Sequence, residues 1–461
     1  MGRGRILLFI LACIAALAAI CVCFPEDGLK LGKLEFRFPS LREIMTGDAA
    51  EEDEGPSPEE LLAAQKKAAT AAEKAGFEQL IREDSVRFFL PGGNPAYFDG
   101  FFAALDEARR KPVRIMHYGD SQIEEDRISN IIRKDLQDRF GGGGPGMMPA
   151  GSYVTLTAAG SASRGLRTYM IYGDGSRRAR TSKYGPLGRF ARIDTTVTFS
   201  LRSAMTRERP PRPRTYFNRA ELLVGNLRGK LTVRCGGEKR VFPAGDTLRK
   251  ISFALPDSSS KVSMTVSGHA DIYGIMLDDS IGVSLDNVPM RGCSGTVFTK
   301  LDKNLLASFY ESERVRLILL QYGGNSVPYI KGPKAIHGYK EGIKKQIELF
   351  REVAPEASIV FLGPSDMSTT IKGHRQTYPH LPAFIDSLKL AAAETGIAYF
   401  DIYGAMGGKN SMVRWVNSKP ALAGPDYVHF TPRGAEQMGE LFVSSLMLYY
   451  DYYQWRKRNE E

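Results

Sequence analysis

The apolar run at residues 113–118 closes on Gly119-Asp120-Ser121 and passes into a helical pattern at 127–140. That succession constrains the fold more than any compositional total. Further apolar runs at 315–322, 358–363 and 396–403 alternate with helical patterns, and an amphipathic stretch at 97–110 precedes the first. Strands apolar on both faces belong to a parallel sheet covered by helices on both sides. Ligands of such sheets bind beyond the carboxyl ends of the strands, where Ser121 and Tyr322-Gly323-Gly324-Asn325 both fall. A serine hydroxyl is a weak nucleophile without a positioned base. Asp426 and His429, three apart near the other end of the chain, offer a carboxylate and an imidazole on one loop. Thr431 and Pro432 then read as the cap and first residue of the last helix. Taken alone, Gly-Asp-Ser also suits a plain turn, and Asp-x-x-His a loop hydrogen bond or half a metal site.

Between the first strand–helix unit and the rest, the alternation breaks. Short β-rich runs at 153–157, 195–201, 220–224, 230–234, 249–254 and 261–266 are separated by Gly, Pro, Asp and Ser. They predict a β-sandwich or jelly roll inserted into the α/β domain. The net charge of +10 is concentrated here: residues 151–270 carry 22 Lys and Arg against 7 Asp and Glu. A basic middle domain suits an anionic polymer or surface, and equally a well-solvated face. Three of the five cysteines lie in the first 24 residues, leaving Cys235 and Cys293, whose pairing the sequence does not decide. No Cys/His cluster has metal-ligand spacing, so no metal is expected.

Arg3 and Arg5 precede an uncharged apolar run of 19 residues, 6–24. As a helix it would be about 28 Å long, near the thickness of a bilayer core. The cationic flank should stay cytoplasmic and place the rest of the chain across the membrane. A cleaved signal peptide is the rival reading; the apolar run continues past the Ala16-Leu17-Ala18 site, which favours an uncleaved anchor. Residues 25–80 read as a stalk, with the acidic run Glu51–Glu54 followed by Gly-Pro. Ser57, Pro58 and Glu60 then open a helix as cap, first residue and capping-box partner, and the spacing predicts its end near Lys74 and Gly76.

With these residues in place, the sequence resembles the SGNH, or GDSL-like, hydrolase superfamily. Gly119-Asp120-Ser121 is similar to its first block and Arg291-Gly292-Cys293-Ser294-Gly295-Thr296 to its second. Gly323-Gly324-Asn325 is similar to its third and Asp426–His429 to its last. The resemblance implies an α/β fold with a flavodoxin-like parallel sheet flanked by helices. It also implies a triad of Ser121, Asp426 and His429, with the Ser121 amide, the Gly295 amide and the Asn325 side chain as oxyanion donors. Gln122 stands where the family usually has leucine and Ser326 where it has aspartate, which bears on substrate choice.

The expected layout is an anchor or signal at 1–24, a stalk at 25–80, a hydrolase domain at 81–150 and 275–456, and a carbohydrate-binding-like β insertion at 151–274. That architecture resembles membrane-anchored bacterial peptidoglycan O-acetylesterases and their O-acetyltransferase relatives. It implies a serine esterase removing O-acetyl groups from a cell-envelope glycan on the periplasmic side of the inner membrane. The alternatives are an O-acetyltransferase fed by a multi-spanning membrane donor protein, and a non-catalytic glycan-binding protein. No cofactor and no nucleic acid are expected. Gln122 and Asp366 are candidate substrate contacts, with a helix cap as the plainer role for Asp366. The glycine run 141–146 lacks the Gly-Lys-Ser/Thr ending of a phosphate loop and reads as a flexible hinge bordering the site. The arginines at 177–180 and 207–214 read as exposed loops or contacts for an anionic surface.

Overall fold

The computed structural model describes residues 3–25, 29–31, 34–36, 45, 58–84 and 87–460. The chain divides into two units, Met1–Ala75 and Gly76–Glu461. In the first, the apolar run forms a helix, Arg3–Cys23, and a short antiparallel pair joins Leu29–Leu31 to Leu34–Phe36. Among the described residues no helix is long and apolar enough to cross a membrane. The helix Pro58–Asp84 runs on past Gly76, ten residues beyond the expected end at Lys74. One glycine in a helix costs only about 1 kcal/mol, and the helix-forming residues on either side carry the helix through. Ser57 and the acidic run Glu51–Glu54 lie outside the described residues.

The second unit is organised by a six-stranded sheet. Its strands are β1 (Phe88–Phe89), β2 (Pro112–Gly119), β3 (Gly282–Pro289), β4 (Val315–Gln321), β5 (Ser358–Leu362) and β6 (Ala398–Phe400). They lie in the order β3-β2-β4-β5-β6-β1 and are parallel except for β1. Alternate residues feed opposite cores. Met116, Tyr118, Ile318, Leu320 and Phe361 pack with the helices Lys303–Ser312, Pro333–Val353 and Leu381–Thr395. Val113, Ile115, Leu317, Leu319 and Phe400 pack with Asp99–Asp106, Ser129–Phe140 and Pro432–Asn459. Burial on both faces is why these strands read as continuous apolar runs. The last run is shorter than its hydrophobicity suggests: Asp401 Oδ1 accepts from the Gly404 amide at 2.9 Å and starts a helical turn, Ile402–Ala405.

The β-rich stretch forms ten strands joined in one continuous hydrogen-bonded sheet. One strand, Phe217–Cys235, joins the runs 220–224 and 230–234, and another, Lys261–Asp278, extends the run 261–266; they pair with each other and with several neighbours. Register shifts near Val224, Arg228 and Thr232 bend their ladder without ending it, so the local turn residues mark irregularities. The sheet begins at Gly146–Met148, ahead of the expected boundary at 151. It belongs to the same compact unit as the parallel sheet. The glycine run is wedged rather than hinged: a Cβ on Gly144 would stand 2.0 Å from the Leu277 carbonyl oxygen, and one on Gly142 would stand 2.5 Å from the Val283 amide nitrogen.

Candidate active site

β2 is flanked by β3 on one side and β4 on the other, and the chain turns out of β2 and β4 side by side. This is the switch point of an open parallel sheet, where a crevice forms at the strand ends. The Asp120 amide donates to the Gln321 carbonyl at 3.3 Å and fixes the two exits against each other. Gly119 packs closely here: a Cβ would meet Ile123 Cγ1 at 2.9 Å, and that buried side chain would have to shift.

Ser121 does not sit on the N-terminus of the following helix. It opens a 3-10 segment, Ser121–Asp126, in which Glu125 and Asp126 hold φ of 59° and 68°, and the helix proper starts at Ser129. Ser121 Oγ lies 2.8 Å from His429 Nε2, and His429 Nδ1 lies 2.7 Å from Asp426 Oδ2. The carboxylate can only accept, so Nδ1 carries the proton and Nε2 is free to take that of the serine. Asp426 Oδ1 in turn accepts the amides of Val428 and His429 at 3.0 and 3.1 Å. Partial burial works against the charge on Asp426, but the His429 ring and these amides outweigh it and hold the carboxyl below its ordinary value. Directly after the loop, Thr431 Oγ1 accepts the Gly434 amide and caps the last helix, with Pro432 at its start.

The cavity over Ser121 has a volume of about 250 Å³ and is lined by His429, Gln321, Asn325, Tyr329 and Met367 among others. Of the three expected oxyanion donors, Ser121 and Asn325 line it and Gly295 does not. The Gly295 amide points at Cys293 Sγ, 3.4 Å away, so it would serve an oxyanion only by leaving that weak acceptor. Gly295 holds φ 79°, and a Cβ there would reach Tyr322 Cγ at 2.6 Å, so the position accepts little but glycine. Asn325 Nδ2 donates to Asp120 Oδ2 at 3.0 Å and to the Cys293 carbonyl at 3.2 Å.

Neither expected substrate contact has a free polar group. Gln122 lines the cavity but is largely buried; its Nε2 donates to the Val428 carbonyl at 2.6 Å and its Oε1 accepts the Phe430 amide at 3.3 Å. It straps the loop that carries His429. Asp366 is fully buried and accepts from Thr377 Oγ1 and from the Met412 amide, both at 2.8 Å. It joins a β-hairpin to the start of the helix Ser411–Asn417 and stays out of the cavity lining. Sequence reasoning missed Asp120, whose carboxylate lies under the site and accepts from the Gln122 amide and from Asn325. Burial pushes its carboxyl up to about 6 against those hydrogen bonds and the nearby His429. Its place within Gly-Asp-Ser was the available signal.

All five cysteines are free, Cys235 and Cys293 included. Among the described residues no group of His, Cys, Asp and Glu is arranged to hold a metal ion.

No protein-family model and no curated protein matches this sequence. Among solved structures, the chain is similar to a peptidoglycan O-acetylesterase, with 19% identity and a TM-score of 0.64 over 79% of this chain and 99% of that one. Weaker likenesses reach a family two carbohydrate esterase from Cellvibrio japonicus (9% identity, TM-score 0.25, 64% of this chain and 99% of that one) and an acetyl xylan esterase (12% identity, TM-score 0.26, 36% and 81%). The chain therefore shares its fold with the peptidoglycan O-acetylesterase, the α/β fold that the resemblance to SGNH hydrolases implies.

Proposed function

We propose that the chain is an SGNH-type serine esterase that removes O-acetyl groups from a cell-envelope glycan such as peptidoglycan. The observation that carries this reading is the continuous relay from Ser121 Oγ through His429 to Asp426, at 2.8 and 2.7 Å, opening into a cavity at the sheet's switch point. His429 takes the serine proton as Oγ attacks the ester carbonyl, and Asp426 holds the ring and stabilises the imidazolium. The tetrahedral oxyanion forms beside the Ser121 amide, and Asn325 joins as a second donor by exchanging its bond to the Cys293 carbonyl or to Asp120 for one to the oxyanion. Its collapse expels the sugar hydroxyl, protonated by His429, and water activated by the same ring releases acetate. The shared fold with a peptidoglycan O-acetylesterase supports the choice of substrate class.

In this reading the apolar run at residues 6–24 directs the chain to the inner membrane, and the catalytic unit works on the periplasmic side. Acetate release from O-acetylated peptidoglycan by the full chain, with Ser121→Ala as control, tests the assignment. The variant should lose activity by a factor on the order of 10³ or more; release at the unmodified rate sinks it. Adding an acceptor sugar to an ester donor separates hydrolysis from transfer, because a transferase accumulates acetylated acceptor instead of acetate.

A further inference from the structure

Below the Ser121 cavity runs a chain of polar side chains that the mechanism does not use. Asn287 Nδ2 donates to the Ile123 carbonyl at 3.0 Å. A carbonyl only accepts, so the Asn287 carboxamide has one orientation and its Oδ1 faces Ser129 Oγ at 2.9 Å. Ser129 must therefore spend its single proton on Asn287. Ser129 Oγ also lies 2.8 Å from His117 Nδ1, which has to supply the proton for that contact. His117 is fully buried on β2, and burial pushes its pKa down to about 4, so the ring is neutral at physiological pH. A neutral ring protonated on Nδ1 leaves Nε2 as a bare acceptor. Gln321 Oε1 is placed 3.1 Å from that Nε2, and a half-turn of the carboxamide exchanges its oxygen and nitrogen at that position. With Oε1 placed there, two acceptors would face each other, whereas Nε2 satisfies the ring.

We infer that Gln321 gives its amide nitrogen to His117 and turns its carbonyl oxygen into the Ser121 cavity, as the acceptor for a hydroxyl or amide N–H next to the ester in the substrate. Gln321 ends β4, lines the cavity and is almost fully buried. Its other carboxamide atom has no hydrogen-bond partner among the described residues. The backbone carbonyl of Ile123, within the turn that carries Ser121, thus dictates through four side chains which polar atom faces the substrate. An unmet buried acceptor is costly, so such a site discriminates against an ester that lacks the donor. This deepens the esterase reading and rests on it: the preferred substrates are sugar esters with a free hydroxyl or acetamido group beside the acetyl.

Two measurements on the full chain test it. Long-range ¹H–¹⁵N correlation spectra, with His117 assigned by comparison with His117→Phe, should show a neutral ring protonated on Nδ1; a proton on Nε2 overturns the inference. In kinetics, a mono-O-acetylated N-acetylhexosamine is set against an aryl acetate that carries no donor. In Gln321→Met the ratio of kcat/KM for the sugar ester to that for the aryl ester should fall about 10-fold, the value of one neutral hydrogen bond. An unchanged ratio in a folded variant overturns it. The spectrum is independent of catalysis, so failure of the Ser121→Ala control would sink the esterase reading and leave the orientation of Gln321 to be judged by itself.

Discussion

Asn325 donates its amide to Asp120 at 3.0 Å, so a buried carboxylate holds a side chain that lines the Ser121 cavity. Burial raises that carboxyl to about 6 from an ordinary 3.8. A raised folded value means that the folded protein keeps this proton while the unfolded chain releases it. The group's contribution to stability is therefore complete below 3.8 and is lost as the pH rises through about 6. Asp120→Asn cannot titrate. The unfolding free energy of the parent minus that of the variant should fall by about 2–3 kcal/mol between about pH 4 and about pH 7. Denaturant titrations across that range check it, and a flat difference would show that Asp120 is charged throughout.

Gln122 reaches across the molecule to both sides of His429, through Val428 and Phe430. Gln122→Leu keeps the volume and removes both bonds, leaving a partly buried carbonyl and a buried amide unpaired. Stability should fall by about 1–3 kcal/mol, and kcat about 10-fold with KM little changed, because the histidine's aim suffers rather than substrate contact. A rise in KM alone would return Gln122 to the substrate surface.

The local devices of this site were legible in the sequence. The run 113–118 announces a doubly buried strand, Thr431-Pro432 announces a capped helix, and the spacing of Asp426 and His429 suits one loop. What stayed hidden depends on partners distant in sequence. Gln122 looks like a surface polar residue after a turn, and only the fold brings Val428 and Phe430 to it. Gly225 and Gly229 lie between two β runs and look like a break, yet pairing on both sides carries one strand through them. The run 141–146 looks flexible by composition, while backbone pressed against Gly142 and Gly144 leaves no room for a side chain there.

Asp426 orients His429 with one oxygen and takes two backbone amides with the other. Because its carboxyl lies below 3.8, it stays charged at any higher pH and is lost only as the pH falls through the lowered value. Asp426→Asn presents an amide where an acceptor is needed and turns the ring to the wrong tautomer, for which a loss in kcat on the order of 10³–10⁴ is expected. A loss below about 10-fold in ester hydrolysis would show that another group orients the ring.

Arg114 ties the two sheets together. From β2 its guanidinium reaches Asp278, at the end of a long strand of the ten-stranded sheet, at 2.6 Å, and Asp286 on β3 at 2.7 Å. Its Nε lies 3.5 Å from Glu313, which Lys250 also approaches at 2.6 Å. All three carboxylates and the arginine are buried, so the cluster exists only with its charges matched. Removing the cation leaves carboxylates crowded in a low dielectric, where they must protonate or draw in water. Arg114→Met should cost about 3–5 kcal/mol, measured by denaturation at neutral pH. Part of that loss should return in acid, where the uncompensated carboxyls take up protons. A loss below about 1 kcal/mol would mean that packing, not this charge cluster, joins the β-rich sheet to the sheet that carries Ser121.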